Sequence, residues 1–163
     1  MRLTAPRLLQ FSPIRFLCIA TLLVCASSVT QADDIPDNKP TTAELEKLMS
    51  KARAFIDEGE LKKATKQLNK VVAHDKKNAD AWNLLGYSWR KLDKTRKSKK
   101  AYARTLKINP DHKGALEYQG ELFIKIGDLD KAKANLAKLQ ALCPSGCEEL
   151  ATLTQALSGQ SSY

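Results

Sequence analysis

Residues 79–112 read ADAWNLLGYSWRKLDKTRKSKKAYARTLKINPDH, and the same pattern returns on both sides of this stretch at one fixed spacing. Leu48, Trp82 and Leu116 fall in one register, as do Ala52, Gly86 and Gly120, and Phe55, Trp89 and Phe123. Further along, Ala64, Ser98 and Ala132 align, then Leu68, Tyr102 and Leu136, then Val71, Thr105 and Leu139. Self-similarity at a period of about 34 residues marks an array of stacked supersecondary units. Within each unit the apolar residues recur every three or four positions, which is helical spacing. Each unit breaks in its middle, at Gly59, Asp93 and Gly127, and at its end, at Lys76-Lys77-Asn78, Pro110 and Pro144. Two helices per unit follow, joined by a short turn. The small residue on the first helix (Ala52, Gly86, Gly120) lets the paired helix approach, and Ala64, Ser98 and Ala132 meet it from the other side. Phe55, Trp89 and Phe123 fill the space beside that contact, and Trp82 and Trp89 are expected in the core.

These residues resemble the tetratricopeptide repeat family. Its pattern of Trp, Leu-Gly, Tyr, Ala, Phe and Pro is met in the central unit by Trp82, Leu85-Gly86, Trp89, Ser98, Tyr102 and Pro110. The third unit supplies Leu116, Gly120, Phe123, Ala132, Leu136 and Pro144; the first supplies Ala52, Phe55, Ala64 and Leu68, with Lys76 where the proline would stand. The resemblance implies an all-α fold, an α-solenoid of three helical hairpins over about 45–78, 79–112 and 113–146. It also implies that the first helix of each hairpin lines a concave groove that receives a partner protein. The corresponding positions are Met49, Arg53, Ile56 and Asp57, then Asn83, Tyr87, Arg90 and Lys91, then Glu117, Glu121, Ile124 and Lys125. Family members that clamp a terminal carboxylate do so with Lys, Asn or Arg at positions matched here by Met49 with Arg53, by Leu84, and by Gly114 with Tyr118. Only Arg53 suits a carboxylate, so that mode of binding is not expected.

After the third hairpin, CEELATLTQAL (147–157) places Leu150, Leu153 and Leu157 on one helical stripe. A capping helix over 147–158 is expected, since the last repeat of a solenoid otherwise exposes an apolar face. Ser145 and Glu148 have the spacing of a capping box that would start it. Residues 159–163 are left as a tail.

The other end of the chain reads as an export signal. Residues 1–15 carry Arg2, Arg7 and Arg15 and no acid, and the apolar run FLCIATLLVCA (16–26) follows. Eleven helical residues span roughly 16 Å, about half of a bilayer core, so a cleaved secretory signal over 1–32 fits better than a membrane span. Cleavage after Ala32 is the preferred site, with Ala26 as fallback, and lipidation at Cys25 is a minor alternative because bulky Val24 precedes it. The mature chain then starts with DDIPDNKPTT (33–42), a flexible leader, and the folded domain occupies 43–158. A periplasmic or secreted location and no membrane-spanning segment after cleavage are expected.

The 163 residues carry 27 Lys and Arg against 18 acids, a formal charge of +9, which favours acidic partners and says nothing about fold. The densest positive stretch runs from Arg90 to Lys107, and Lys97, Lys100, Arg104 and Lys107 share one side of the central unit's second helix. It reads as a solvated face or as a contact for an acidic partner or an anionic envelope surface; nucleic acid is not expected in an exported chain. No catalytic constellation stands out. His74 and His112 belong to no metal-spaced or nucleophile-activating motif and read as solvent-exposed turn residues. Cys143 and Cys147, in CPSGC, read as a structural disulfide clip, with free thiols or a redox or metal role as alternatives. The sum is a non-enzymatic adaptor or assembly factor with no cofactor. A thiol redox or metal-handling accessory, and self-assembly through an imperfect end of the stack, are the alternatives.

Overall fold

The protein is described by a computed structural model over residues 39–159. The expected signal peptide, Cys25, the leader up to residue 38 and residues 160–163 lie outside the described residues. Seven helices follow in order: α1 (Thr42–Asp57), α2 (Leu61–His74), α3 (Ala79–Lys91), α4 (Thr95–Ile108), α5 (Lys113–Lys125), α6 (Leu129–Leu142) and α7 (Glu148–Leu157). The bounds of α2, α4 and α6, and those of α3 and α5, coincide after shifts of one repeat period. Among the described residues every regular element is helical, so the fold is the expected all-α solenoid of three hairpins and a terminal helix.

The turns show why the breaks fall where they do. Gly59, Asp93 and Gly127 all take positive φ, at 73°, 58° and 78°, which reverses the chain between the helices of each hairpin. Asp is one of the few side chains that tolerates this left-handed region. The helix starts also echo each other. Asn78 Oδ1 accepts from the Ala81 amide at 2.9 Å, and one period later His112 Nδ1 accepts from the Ala115 amide at 3.1 Å. His112 Nε2 sits 3.0 Å from Asp80 Oδ1, so the ring donates from Nε2 and caps with Nδ1. His112 is thus a helix cap and not a free turn residue; His74 is exposed as expected.

Two boundaries differ from the sequence reading. α1 begins at Thr42, inside the expected leader, because Thr41 and Glu44 form a reciprocal capping box. No such box starts α7: its N-cap is Cys147, without a side-chain cap bond, and Ser145 lies upstream in the turn. The helix begins at Glu148, so Ser145 lies two residues before the N-cap position from which a capping box would act.

Packing inside the hairpins follows the small residues. Ala52, Ala64, Ser98 and Ala132 have no solvent exposure, and the Ser98 hydroxyl donates to the Gly86 carbonyl at 2.8 Å, fastening α4 to α3. A Cβ on Gly86 would lie 2.4 Å from the Tyr102 ring of α4, so only glycine admits that ring. Gly120 is a correction to the simple hairpin picture. Its space is taken by Leu153 of α7, not by Leu136 of its own hairpin. Consistent with this, α7 leans on α5 more than on α6.

Along the stack, α3 packs directly on α5, while no comparable packing among the described residues joins α2 to α4 or α4 to α6. This direct approach of first helices is confined to α3 and α5, since α1 and α3 show no comparable packing. α1, α3 and α5 nevertheless contribute side chains to one common face of the stack, its inner face.

Candidate functional site

On that inner face lies a cleft of about 310 Å³ bounded by Arg53, Ile56 and Asp57 of α1, Leu84 and Tyr87 of α3, and Tyr118 of α5. The rings of Tyr87 and Tyr118 meet at 5.1 Å between centroids, tilted by 50°, and Tyr118 in turn lies 6.5 Å from buried Tyr102. Such tilted contacts are the favoured geometry for aromatic pairs.

Arg90 locks this arrangement from below. Its guanidinium sits 5.6 Å from the Tyr87 ring centre and 5.7 Å from that of Tyr118, and it forms an ion pair with Glu121 of α5. Only 5% of Arg90 is exposed. A charge so removed from water is tolerated because it is paired and faces aromatic rings. The pair bridges two repeats, so the two tyrosines are held in place before any partner arrives.

The expected groove residues therefore separate into groups. Arg53, Ile56, Asp57 and Tyr87 line the cleft. Arg90 and Glu121 are committed to each other, and Asn83 and Glu117 are buried, which removes these four from a partner's direct reach. Met49 packs on the first core cluster and Ile124 on the last. Lys91 lies over the Tyr87 ring at 5.7 Å, and Lys125 pairs with Asp93 across the repeat junction. Leu84 and Tyr118 were not in the expected groove set, although they matched clamp positions. They are one repeat period apart, and that shared register was the signal that places both on one wall.

Glu117 is the electrostatic oddity of this face. Burial, aided by the negative charges of Glu121, Glu149 and Glu148 and opposed by Arg90, pushes its carboxyl up to about 7. Burial also raises the Tyr118 phenol, with Glu117 as the next contributor.

Elsewhere, Cys143 and Cys147 lie with Sγ atoms 2.33 Å and Cα atoms 5.8 Å apart, at disulfide distance. Among the described residues no group of three or more His, Cys, Asp or Glu could hold a metal ion. Lys97, Lys100 and Arg104 border a separate groove on the outer face, and Lys107 is exposed beyond it. Trp82 and Trp89, expected in the core, pack against the first core cluster without being closed off by it. Both are half-buried and form the floor of that outer groove.

Family models of the tetratricopeptide repeat match residues 79–112 and 115–145. No curated protein sequence matches the chain. Among solved structures, the first TPR of Spaghetti bound to an HSP90 peptide aligns at 18% identity and TM-score 0.64, covering 74% of this chain and 98% of that one. The Yersinia enterocolitica type III secretion translocator chaperone SycD aligns at 18% identity and TM-score 0.64, over 74% and 90% of the two chains. PcrH in complex with the chaperone binding region of PopD gives 18% identity and TM-score 0.65, over 74% and 91%. At these identities the likeness is one of fold.

Proposed function

The chain is a tetratricopeptide repeat protein, and from that premise we propose that it holds a segment of another exported protein in the cleft between Arg53, Leu84, Tyr87 and Tyr118. Its fold neighbours include protein-binding chaperones and peptide-bound modules, which supports a protein-interaction role. The observation that carries the choice of cleft is the tyrosine pair held by the Arg90–Glu121 ion pair. Two rings fixed in advance lose little freedom when an apolar side chain inserts beside them. Arg53 and Asp57, of opposite sign on one wall, suit a segment with polar flanks and do not demand an acidic one.

The export part of this reading rests on the basic, then apolar, then small-residue order of residues 1–32. It is tested by N-terminal sequencing of the protein recovered from the envelope fraction, which should begin at Asp33. Groove binding is tested by cross-linked pull-down from envelope extract with Tyr87→Ala and Tyr118→Ala combined. The captured partner should be lost; its retention would place binding elsewhere on the molecule.

A further inference from the structure

We propose that the outer groove between α2 and α4 is a second docking site, built for an acidic amphipathic segment of a partner protein. The groove encloses about 730 Å³ between α2 and α4, and its floor is the side of α3 that carries Trp82 and Trp89. Trp82 and Trp89 stand one above the other on that floor, two helical turns apart, with Val72 and Ala101 beside them. Lys76, Lys97, Lys100 and Arg104 border it, and no carboxylate lines it.

Comparison of the repeats with one another shows that this is a local departure from the pattern. At the next junction the same register holds Leu116 and Phe123, and both are closed off, at 2% and 5% exposure. Lys97 has counterparts in Lys63 and Lys131, and all three lie over an aromatic ring, at 5.6 to 5.7 Å from Phe55, Trp89 and Phe123. Lys63 is neutralised by Glu60, and Lys131 by Asp128. The residue in that register of the central unit is Lys94, so Lys97 has no acid at the position that serves its counterparts. The counterpart of Arg104 is Lys138, which pairs with Asp111 at 3.2 Å. Arg104 itself has only the carbonyl of Lys76, at 3.5 Å. The central unit thus keeps the cations of its neighbours and lacks their counter-charges.

An apolar trough rimmed by unneutralised cations is complementary to a helix or strand that offers a large apolar side chain between acids. The recessed position of the two indoles favours an inserted side chain over a bilayer, which meets protruding surfaces. This site is separate from the inner cleft.

Trp82 and Trp89 are the only tryptophans in the chain, so intrinsic fluorescence reports directly on the groove. The test selects phage-displayed random peptides, long enough for a few helical turns, on the full chain, with counter-selection on the combined Lys97→Glu, Lys100→Glu and Arg104→Glu variant. Recovered peptides should carry acids on both sides of a large apolar residue and should shift tryptophan emission saturably. Their affinity should fall about tenfold or more in the charge-reversed variant, and by several-fold between low and high salt. The Tyr87→Ala and Tyr118→Ala protein should bind them normally, which separates this site from the inner cleft. A triple Gln variant at the same three positions, with unchanged helicity, guards against misfolding. The proposal is overturned if the peptides lack acids, if the triple Gln variant binds as tightly as the parent, or if the tyrosine variant loses them. It is also overturned if phosphatidylglycerol vesicles shift the emission where no peptide does.

Discussion

Leu153 fills the space above Gly120: its two methyl carbons lie 2.6 Å from the point that a Cβ on that glycine would occupy. The last helix is seated by the absence of a side chain on α5. Gly120→Ala should therefore push α7 off its seat and cost about 1–3 kcal/mol, the usual range for overpacking. Urea denaturation measures this. The double variant with Leu153→Ala should be less unstable than the sum of the two single changes, because contacting residues are not additive. Strict additivity would separate the two positions energetically.

Arg90 and Glu121 form the second test. Removing the guanidinium by Arg90→Met leaves the Glu121 carboxylate, 12% exposed, without its partner. Breaking a buried pair in this one-sided way costs about 3–5 kcal/mol, whereas replacing both members is often close to neutral. Arg90→Met should lower the melting temperature sharply, and Arg90→Met with Glu121→Leu should recover most of the loss. No recovery in the double variant would contradict the role given to the pair.

The Glu117 carboxyl, raised to about 7 by burial and by Glu121, Glu149 and Glu148 against the pull of Arg90, makes stability depend on pH. The folded chain holds this proton more tightly than the unfolded one, so the stabilisation is complete below the ordinary carboxylate range and is lost as pH rises through 7. Glu117→Gln keeps a neutral group there at every pH. It should gain about 1–3 kcal/mol over the parent at pH 8 and little at pH 4. Melting curves at the two pH values decide it: an equal effect at both would mean that Glu117 does not titrate near neutrality.

The cysteine pair makes a chemical prediction. Alkylation of the unreduced protein purified from an oxidising compartment should label neither Cys143 nor Cys147, and reduction should expose both. A bridge closing so short a loop is worth about 2 kcal/mol by chain entropy, so Cys143→Ser should lower stability by about that amount. Two reactive thiols before reduction would remove the bridge from the account.

Much of the architecture was legible because it repeats. A constant register in Gly86 and Gly120, Trp89 and Phe123, or Ser98 and Ala132 carries its own phase. From α2 to α6 the helix bounds follow that phase, and only the start of α1 departs from it. What escaped was decided by relations between helices far apart in sequence. Trp82 and Trp89 sit at core positions of the repeat, yet they border an open trough between α2 and α4. Arg90 reads as a groove cation, but the Glu121 that buries it lies on the following hairpin, out of phase with it. Leu153 lies beyond the last repeat, so no internal comparison could pair it with Gly120. The capping role of His112 was within reach, since Asn78 precedes it by one period and is a common helix-capping residue.

The seat of α7 also bears on how such an array can grow. A hairpin inserted after Leu142 that packed directly on α5 would have to displace Leu153 from Gly120. The seat on α5 is thus already taken by α7. Duplicating residues 79–112 in place meets no such obstacle, because both cut ends already match in phase. An insertion of this kind lengthens the ladder by a rung in its middle and leaves the Gly120–Leu153 contact as it is.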